Sequence, residues 1–201
     1  MHKSMTELPT RLLLRVSVKL LFLFSLGIVA YTLLSSLITE RGEPLAAPPL
    51  LFQVEALSDN QALRIAWAGG NLILVKRSEA TLAALQSATD KLQDPLSYQA
   101  SQPEGLPAHT RSLQPALFLA FDRGTDMGCP ITWVAAGNRE APQQPWPGGF
   151  RDQCRGSWYD AAGRVFKAQQ AGRNLDIPPY RYRGKDLLEI GLSGDNAAPA
   201  N

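Results

Sequence analysis

Cysteine and histidine are scarce in this sequence: 201 residues carry two of each. No nucleophile, base and orienting group occur together, which leaves hydrolase chemistry without its residues. Charge is sparse as well, at 19% against an apolar fraction of 45%. That balance is expected where part of the apolar content lies in lipid. Four of the 20 Lys and Arg residues and one of the 18 Asp and Glu residues fall before residue 20, so the remainder holds 16 bases against 17 acids. A near-neutral body of this kind has no basic footprint, and nucleic acid is excluded as a partner. No internal repeat is present.

One long stretch lacks charge altogether. Leu20 to Ile38, "LLFLFSLGIVAYTLLSSLI", would run roughly 28 Å as a helix, close to the ~30 Å of a bilayer core. Lys3, Arg11, Arg15 and Lys19 precede it, against Glu7 alone. The basic flank predicts a cytoplasmic N-terminus, residues 1–19, and an exported body. A cleaved signal peptide is the competing reading, but its apolar core would be ~7–15 residues long with a small-x-small site directly after it. Here the run is longer and "TERGEP" follows, so an uncleaved transmembrane helix over 20–38 is expected.

Residues 39–49, "TERGEPLAAPP", read as a semi-extended tether. From Leu50 the apolar runs are short and strand-like: "LLFQVEAL", "ALRIAWA", "NLILVK", "ALFLAF", "ITWVA", "GRVFKA" and "LLEIGL". Gly69-Gly70-Asn71 predicts a hairpin turn. Ser78 caps one helix, with Leu82, Leu85, Thr89 and Leu92 on one face, and Asp94-Pro95 ends it. Residues 95–115 are polar and Pro-rich and read as a surface loop. The pattern predicts a mainly β fold, a single N-terminal transmembrane helix followed by an antiparallel β domain over 50–193 with one short helix. Residues 194–201 read as a disordered tail. The only cysteines, Cys129 and Cys154, both follow the anchor. In an exported domain they are most simply a disulfide.

Two glycine-rich loops carry these cysteines, "RGTDMGCP" at 123–130 and "GGFRDQCRGSWYDAAGRVF" at 148–166. This pair resembles the cluster-binding loops of Rieske proteins, and more closely those of the Rieske iron–sulfur subunit of bacterial cytochrome bc1 complexes. In that family the loops read C-T-H-x-G-C and C-P-C-H-G-S-x-[YF]-D. One Cys and one His of each loop bind a [2Fe–2S] cluster, and the remaining cysteines form a bracing disulfide. The resemblance extends to the N-terminal membrane helix, the hinge, the helix ending in Asp94-Pro95, Gly148-Gly149-Phe150, "YDAAGRVFKA" and "NLDIPPYRY".

Residue for residue, the resemblance implies that Gly124 and Asp152 stand where the family has cysteine ligands, and Asp126 and Arg155 where it has histidine ligands. It implies that Cys129 and Cys154 are the bracing pair. Ser157 and Tyr159 match family positions whose hydroxyls tune the cluster; here ordinary loop hydrogen bonding is expected of them. His109, in the polar loop, is expected to be a surface histidine. Asp126 and Asp152 beside Arg155 make a poor site for a hard cation such as Ca²⁺. Neither cofactor nor metal is therefore expected. Arg155 could pair with one or both aspartates across the loops, or all three could point into water.

The family's proline-bearing loop would fall at "KAQQAGRN", without its prolines. The chain also lacks the adjacent arginines of a twin-arginine export signal. The expectation is a non-enzymatic, membrane-anchored accessory subunit or stabilising factor of a respiratory complex, a bc1 complex or a terminal oxidase. Its place would be the bacterial inner membrane, with the β domain in the periplasm. "PQQPWPGGF", with Trp146, is a candidate contact surface, unless it packs as a turn on its own domain. The alternatives are a Rieske electron-transfer subunit oxidising quinol, which needs the missing ligands, and a free-standing periplasmic binding protein.

Overall fold

A computed structural model describes residues 10–38, 48–54 and 57–191. The expected tail over 194–201 and most of the expected tether lie outside them. The chain divides into two compact units, Met1–Leu45 and Ala46–Asn201.

The first unit contains helix α1, Thr10–Ile38. It begins ten residues before the expected boundary at Leu20, because no proline interrupts residues 10–38 and the added first turns are mostly Leu, Arg and Lys, good helix formers whether apolar or charged. Leu12–Ser35 is long and apolar enough to cross a membrane. Arg15 and Lys19 therefore ride on the helix itself, where long basic side chains can reach a headgroup layer.

Among the described residues, the second unit holds nine strands in three antiparallel sheets of three. β1 (Leu50–Gln53), β9 (Leu187–Ile190) and β8 (Tyr180–Arg183) form one sheet, with β9 central. β2 (Ala62–Trp67), β3 (Gly70–Lys76) and β4 (Leu117–Phe121) form the second. β5 (Ile131–Val134), β6 (Gly149–Asp152) and β7 (Trp158–Asp160) form the third. One apolar core draws on all three, including Leu72, Leu74, Phe118, Ile131, Phe150, Tyr159, Leu188 and Ile190. The β2–β3 turn is Ala68-Gly69, one residue earlier than expected, since Trp67 pairs with Gly70. Both turn residues take positive φ, the conformation that a two-residue hairpin needs.

Helix α2, Glu79–Ser87, is capped by Ser78, whose hydroxyl accepts the Thr81 N–H. A 3₁₀ turn at Thr89–Lys91 follows it. The helix is thus shorter than expected: Leu85, Ala88 and Leu92 are buried, while Thr89 faces solvent. "GRVFKA" is not a strand. Its backbone makes isolated bridges, Val165 with Tyr159 and Phe166 with Leu92, and runs on as turns.

Residues 95–115 are not a simple surface loop either, because Arg111 within them is completely buried. Arg111 donates to the carbonyls of Ala162 (3.0 Å), Gly163 (3.1 Å) and Leu175 (2.7 Å) and to Gln102 Oε1 (2.9 Å). Arg77 does the same at Thr110 O (2.8 Å), Ala161 O (3.2 Å) and Pro115 O (2.9 Å). Burial lowers both guanidinium pKa values to about 10. Arg164 is buried too, bonded to Asp160 Oδ2 (2.8 Å) and Leu85 O (2.7 Å). Three arginines thereby hold the 160–164 turn, and with it the end of β7, against the α2 region and the 95–115 segment.

Trp146 is 2% exposed and packs with Leu92, Trp158 and Phe166. Its Nε1 donates to Val134 O at 3.0 Å. An indole that is both buried and hydrogen-bonded has nothing left to offer a partner, which removes it from the candidate contact surface. It also explains the glycine pair beside it. A Cβ at Gly149 would meet the Trp146 ring at 2.7 Å, and one at Gly148 would meet Trp133 at 2.9 Å.

Candidate functional site

The β5–β6 register sets the site. Ile131 pairs with Asp152, and the Gln153 N–H continues the ladder to Pro130 O at 3.0 Å. Extending an antiparallel pair by one more step brings Cys129 opposite Cys154. The two form a disulfide, with Cα atoms 6.0 Å apart, a normal separation for the bond. No cysteine is free, so neither sulfur is available as a thiolate.

The two loops share one backbone design. Gly124 N–H donates to Cys129 O (2.7 Å) and Gly128 N–H to Gly124 O (3.1 Å). Asp152 N–H donates to Ser157 O (2.9 Å) and Gly156 N–H to Asp152 O (3.1 Å). Both are six-residue turns with the fifth position left-handed, at φ +72° for Gly128 and +73° for Gly156. Glycine adopts that conformation without steric cost, which is why each loop has one there.

The four positions matched to cluster ligands are all close to this pair of turns. Asp152 is 3% exposed. Its Oδ1 accepts the N–H groups of Cys154 and Arg155, each at 2.9 Å. Its Oδ2 is buried without a hydrogen-bond partner among the described residues. That second oxygen is aimed across the loop pair: a Cβ at Gly124 would fall 3.1 Å from Asp152 Cγ and closer still to Oδ2. Arg155 points elsewhere. Its guanidinium lies 3.3 Å from Asp126 Oδ2 and donates to Gln170 Oε1 at 2.8 Å. With the arginine side chain 46% exposed and the aspartate 23%, the pair is largely solvated. Arg155 thus bridges to one aspartate, Asp126, while Asp152 is held by its own loop.

The two hydroxyls also have partners. Tyr159 OH lies 3.2 Å from both the N–H and the Oγ1 of Thr125, and burial raises its pKa. Thr125 Oγ1 donates onward to Arg173 O at 2.6 Å. Ser157 Oγ accepts the Ala171 N–H at 3.1 Å. The segment 167–174, "KAQQAGRN", is thereby fastened to both loops. His109 is exposed. Loop hydrogen bonding of Ser157 and Tyr159 was expected, but not their partners; Thr125 and Gln170 carried no signal in the sequence beyond their place beside the matched motifs.

No family model matches the chain. Among curated proteins, the ubiquinol-cytochrome c reductase iron–sulfur subunit of Allochromatium vinosum is 36% identical over 146 residues, covering 73% of this chain and 70% of its own length. That of Blastochloris viridis is 26% identical over 164 residues, 81% of this chain and 82% of its own. That of Rhodospirillum rubrum is 28% identical over 138 residues, 69% of this chain and 68% of its own. A chain of a solved hyperthermophilic respiratory complex III aligns over 86% of this chain and 98% of its own length, at 18% identity and a TM-score of 0.42. An apolar N-terminal helix, three antiparallel sheets and two disulfide-linked loops thus go with sequence similarity along most of the chain, which belongs to the Rieske iron–sulfur subunit family of ubiquinol-cytochrome c reductases.

Proposed function

We propose that this chain is a cluster-free member of its family, a non-catalytic accessory or stabilising subunit of a membrane respiratory complex. The observation that carries the reading is the donor set. A [2Fe–2S] centre takes four thiolate or imidazole ligands. At the four matched positions this chain has glycine, two carboxylates and a guanidinium. Its two sulfurs are bonded to each other, and the only histidine beyond the N-terminus, His109, is exposed. These residues do not fit the cluster.

The geometry supports a scaffold. One disulfide, one interloop ion pair and the Thr125–Tyr159 contact join the loops, which are pinned to the following segment through Ser157 and Arg155. The relatives are subunits of ubiquinol-cytochrome c reductase; the partners proposed here are the subunits of such a complex or of a terminal oxidase. The N-terminus lies in the cytoplasm, given the basic residues of the first nineteen, and the β unit in the periplasm.

The test is to tag the C-terminus, extract membranes in mild detergent and identify what co-purifies stoichiometrically, then separate the tagged chain from its partners and measure non-haem iron and acid-labile sulfide on it. Stoichiometric complex subunits are expected, with negligible non-haem iron and sulfide on the tagged chain. Two irons and two sulfides per chain would overturn the cluster-free reading, and a chain that purifies alone would overturn the subunit reading.

A further inference from the structure

The loop pair contains a second donor set that the family's cluster does not use. The sulfurs of Cys129 and Cys154 and a carboxylate oxygen of Asp152 lie within 4.8 Å of one another. Asp152 is 3% exposed, and its Oδ2 has no hydrogen-bond partner among the described residues. A buried oxygen left without a donor is costly, and a cation is one group that would satisfy it. While the bridge is closed, neither sulfur can ligate a metal.

We propose that reduction of the Cys129–Cys154 bridge converts this cluster into a binding site for a thiophilic divalent cation, with zinc the best match. Cys154 is exposed and Cys129 half-buried, so a dithiol donor can reach the bond. Thiolate attack on one sulfur and resolution of the mixed disulfide transfer two electrons and two protons to the bridge; the donor leaves as its own disulfide. The two thiols then give up their protons to solvent as the metal binds. Two thiolates and one carboxylate supply three ligands of a tetrahedral site, with water completing it.

The spacing is suitable. Donor atoms around a tetrahedral zinc stand roughly 3.5–3.8 Å apart, given Zn–S ~2.3 Å and Zn–O ~2.0–2.2 Å. Small side-chain rotations reach that arrangement once the sulfurs separate.

The full-length chain in detergent, reduced anaerobically with dithiothreitol and freed of it by gel filtration, is titrated with Co²⁺ and then with Zn²⁺. A sulfur-to-cobalt charge-transfer band saturating at one equivalent, and bleached by Zn²⁺, is expected. The oxidised protein should show none. Asp152→Asn keeps the Oδ1 acceptor for the Cys154 and Arg155 N–H groups but removes the ligand; binding should weaken at least about tenfold. Cys129→Ser with Cys154→Ser should abolish the band. A reduced wild type without the band, or an Asp152→Asn chain that binds as tightly as wild type, would sink the proposal. If the reduced chain unfolds, metal-driven recovery of its circular dichroism replaces the band as readout, and absence of recovery counts against the site. Iron and sulfide found in the oxidised sample would bear on the cluster-free reading and leave this outcome separate.

Discussion

Asp152 occupies the space that a side chain at Gly124 would need. Its Cγ stands 3.1 Å from the position of a Gly124 Cβ, and Oδ2 lies nearer. The two positions that the resemblance matches to the family's cysteine ligands are therefore interlocked: a bulkier residue in one loop is accommodated by the smallest in the other. Gly124 shows no left-handed φ, so its requirement is one of space.

Gly124→Ala should accordingly destabilise the β unit by about 1–3 kcal/mol, the usual cost of overpacking. In Asp152→Ala the clash is absent, although the N–H groups of Cys154 and Arg155 lose their acceptor. A thermal-melt double-mutant cycle should show the pair less destabilised than the sum of the singles. Strict additivity would mean that the two residues do not share the space.

Arg155→Ala should change stability by no more than about 1 kcal/mol, because its ion pair with Asp126 is largely solvated. For a unit of this size that is a shift of a few degrees, roughly 2–4 °C per kcal/mol. The effect should shrink further in high salt. A salt-insensitive loss well beyond that range would show that the guanidinium does more than bridge at the surface.

Cys129→Ser with Cys154→Ser should cost about 3 kcal/mol by the chain-entropy estimate for a crosslink of this span, the two residues being 25 apart in sequence. Guanidinium denaturation of the oxidised chain against the double variant measures it directly. Near-equal midpoints would show that the loop pair is held by its other contacts.

Asp160→Asn should be among the most damaging single changes, on the order of 3–5 kcal/mol. Asp160 is the carboxylate paired with buried Arg164, and its charge also favours the protonated forms of Arg77 and Arg111. Removing it leaves buried guanidinium charge uncompensated. Expression and melting of the detergent-purified variant check this; a wild-type melt would contradict it.

Glu189 accepts hydrogen bonds from Arg183 (2.6 and 2.7 Å) and Arg181 (2.6 Å), and these hold its pKa below the ordinary 4.5. A carboxylate depressed in the folded state contributes stability that is fully present above the unfolded value. That contribution is lost as pH falls through the folded one. Melting temperature measured from neutral pH downward should therefore fall less steeply in Glu189→Gln than in wild type.

Local chemistry made much of the molecule legible in advance. The Ser78 cap, the apolar runs of β2, β3 and β4 and the membrane-length helix each depend on residues adjacent in sequence. So did the two loops, since glycine, cysteine and their flanking residues mark them in order, and the disulfide was expected of the two cysteines that follow the apolar helix. The short strands β6 and β7 were missed because "GFRD" and "WYD" have no apolar alternation of their own, and β8 because the alternation of "YRYR" lasts only four residues. They are strands only because a neighbour pairs with them.

The sequence by itself determined the family, the membrane-length helix and the loop pair, because each is a matter of which residues are present and in what order. Only the tertiary structure decided where the replacements point. Three residues apart, Asp152 and Arg155 could have paired. Instead, the backbone N–H groups of the second turn capture Asp152 Oδ1, which sends Oδ2 into the first turn and leaves Arg155 to Asp126. The fates of Arg77, Arg111 and Arg164 were equally unreadable. A guanidinium can be buried only where carbonyls from distant segments converge on it, and that convergence exists only in the folded chain.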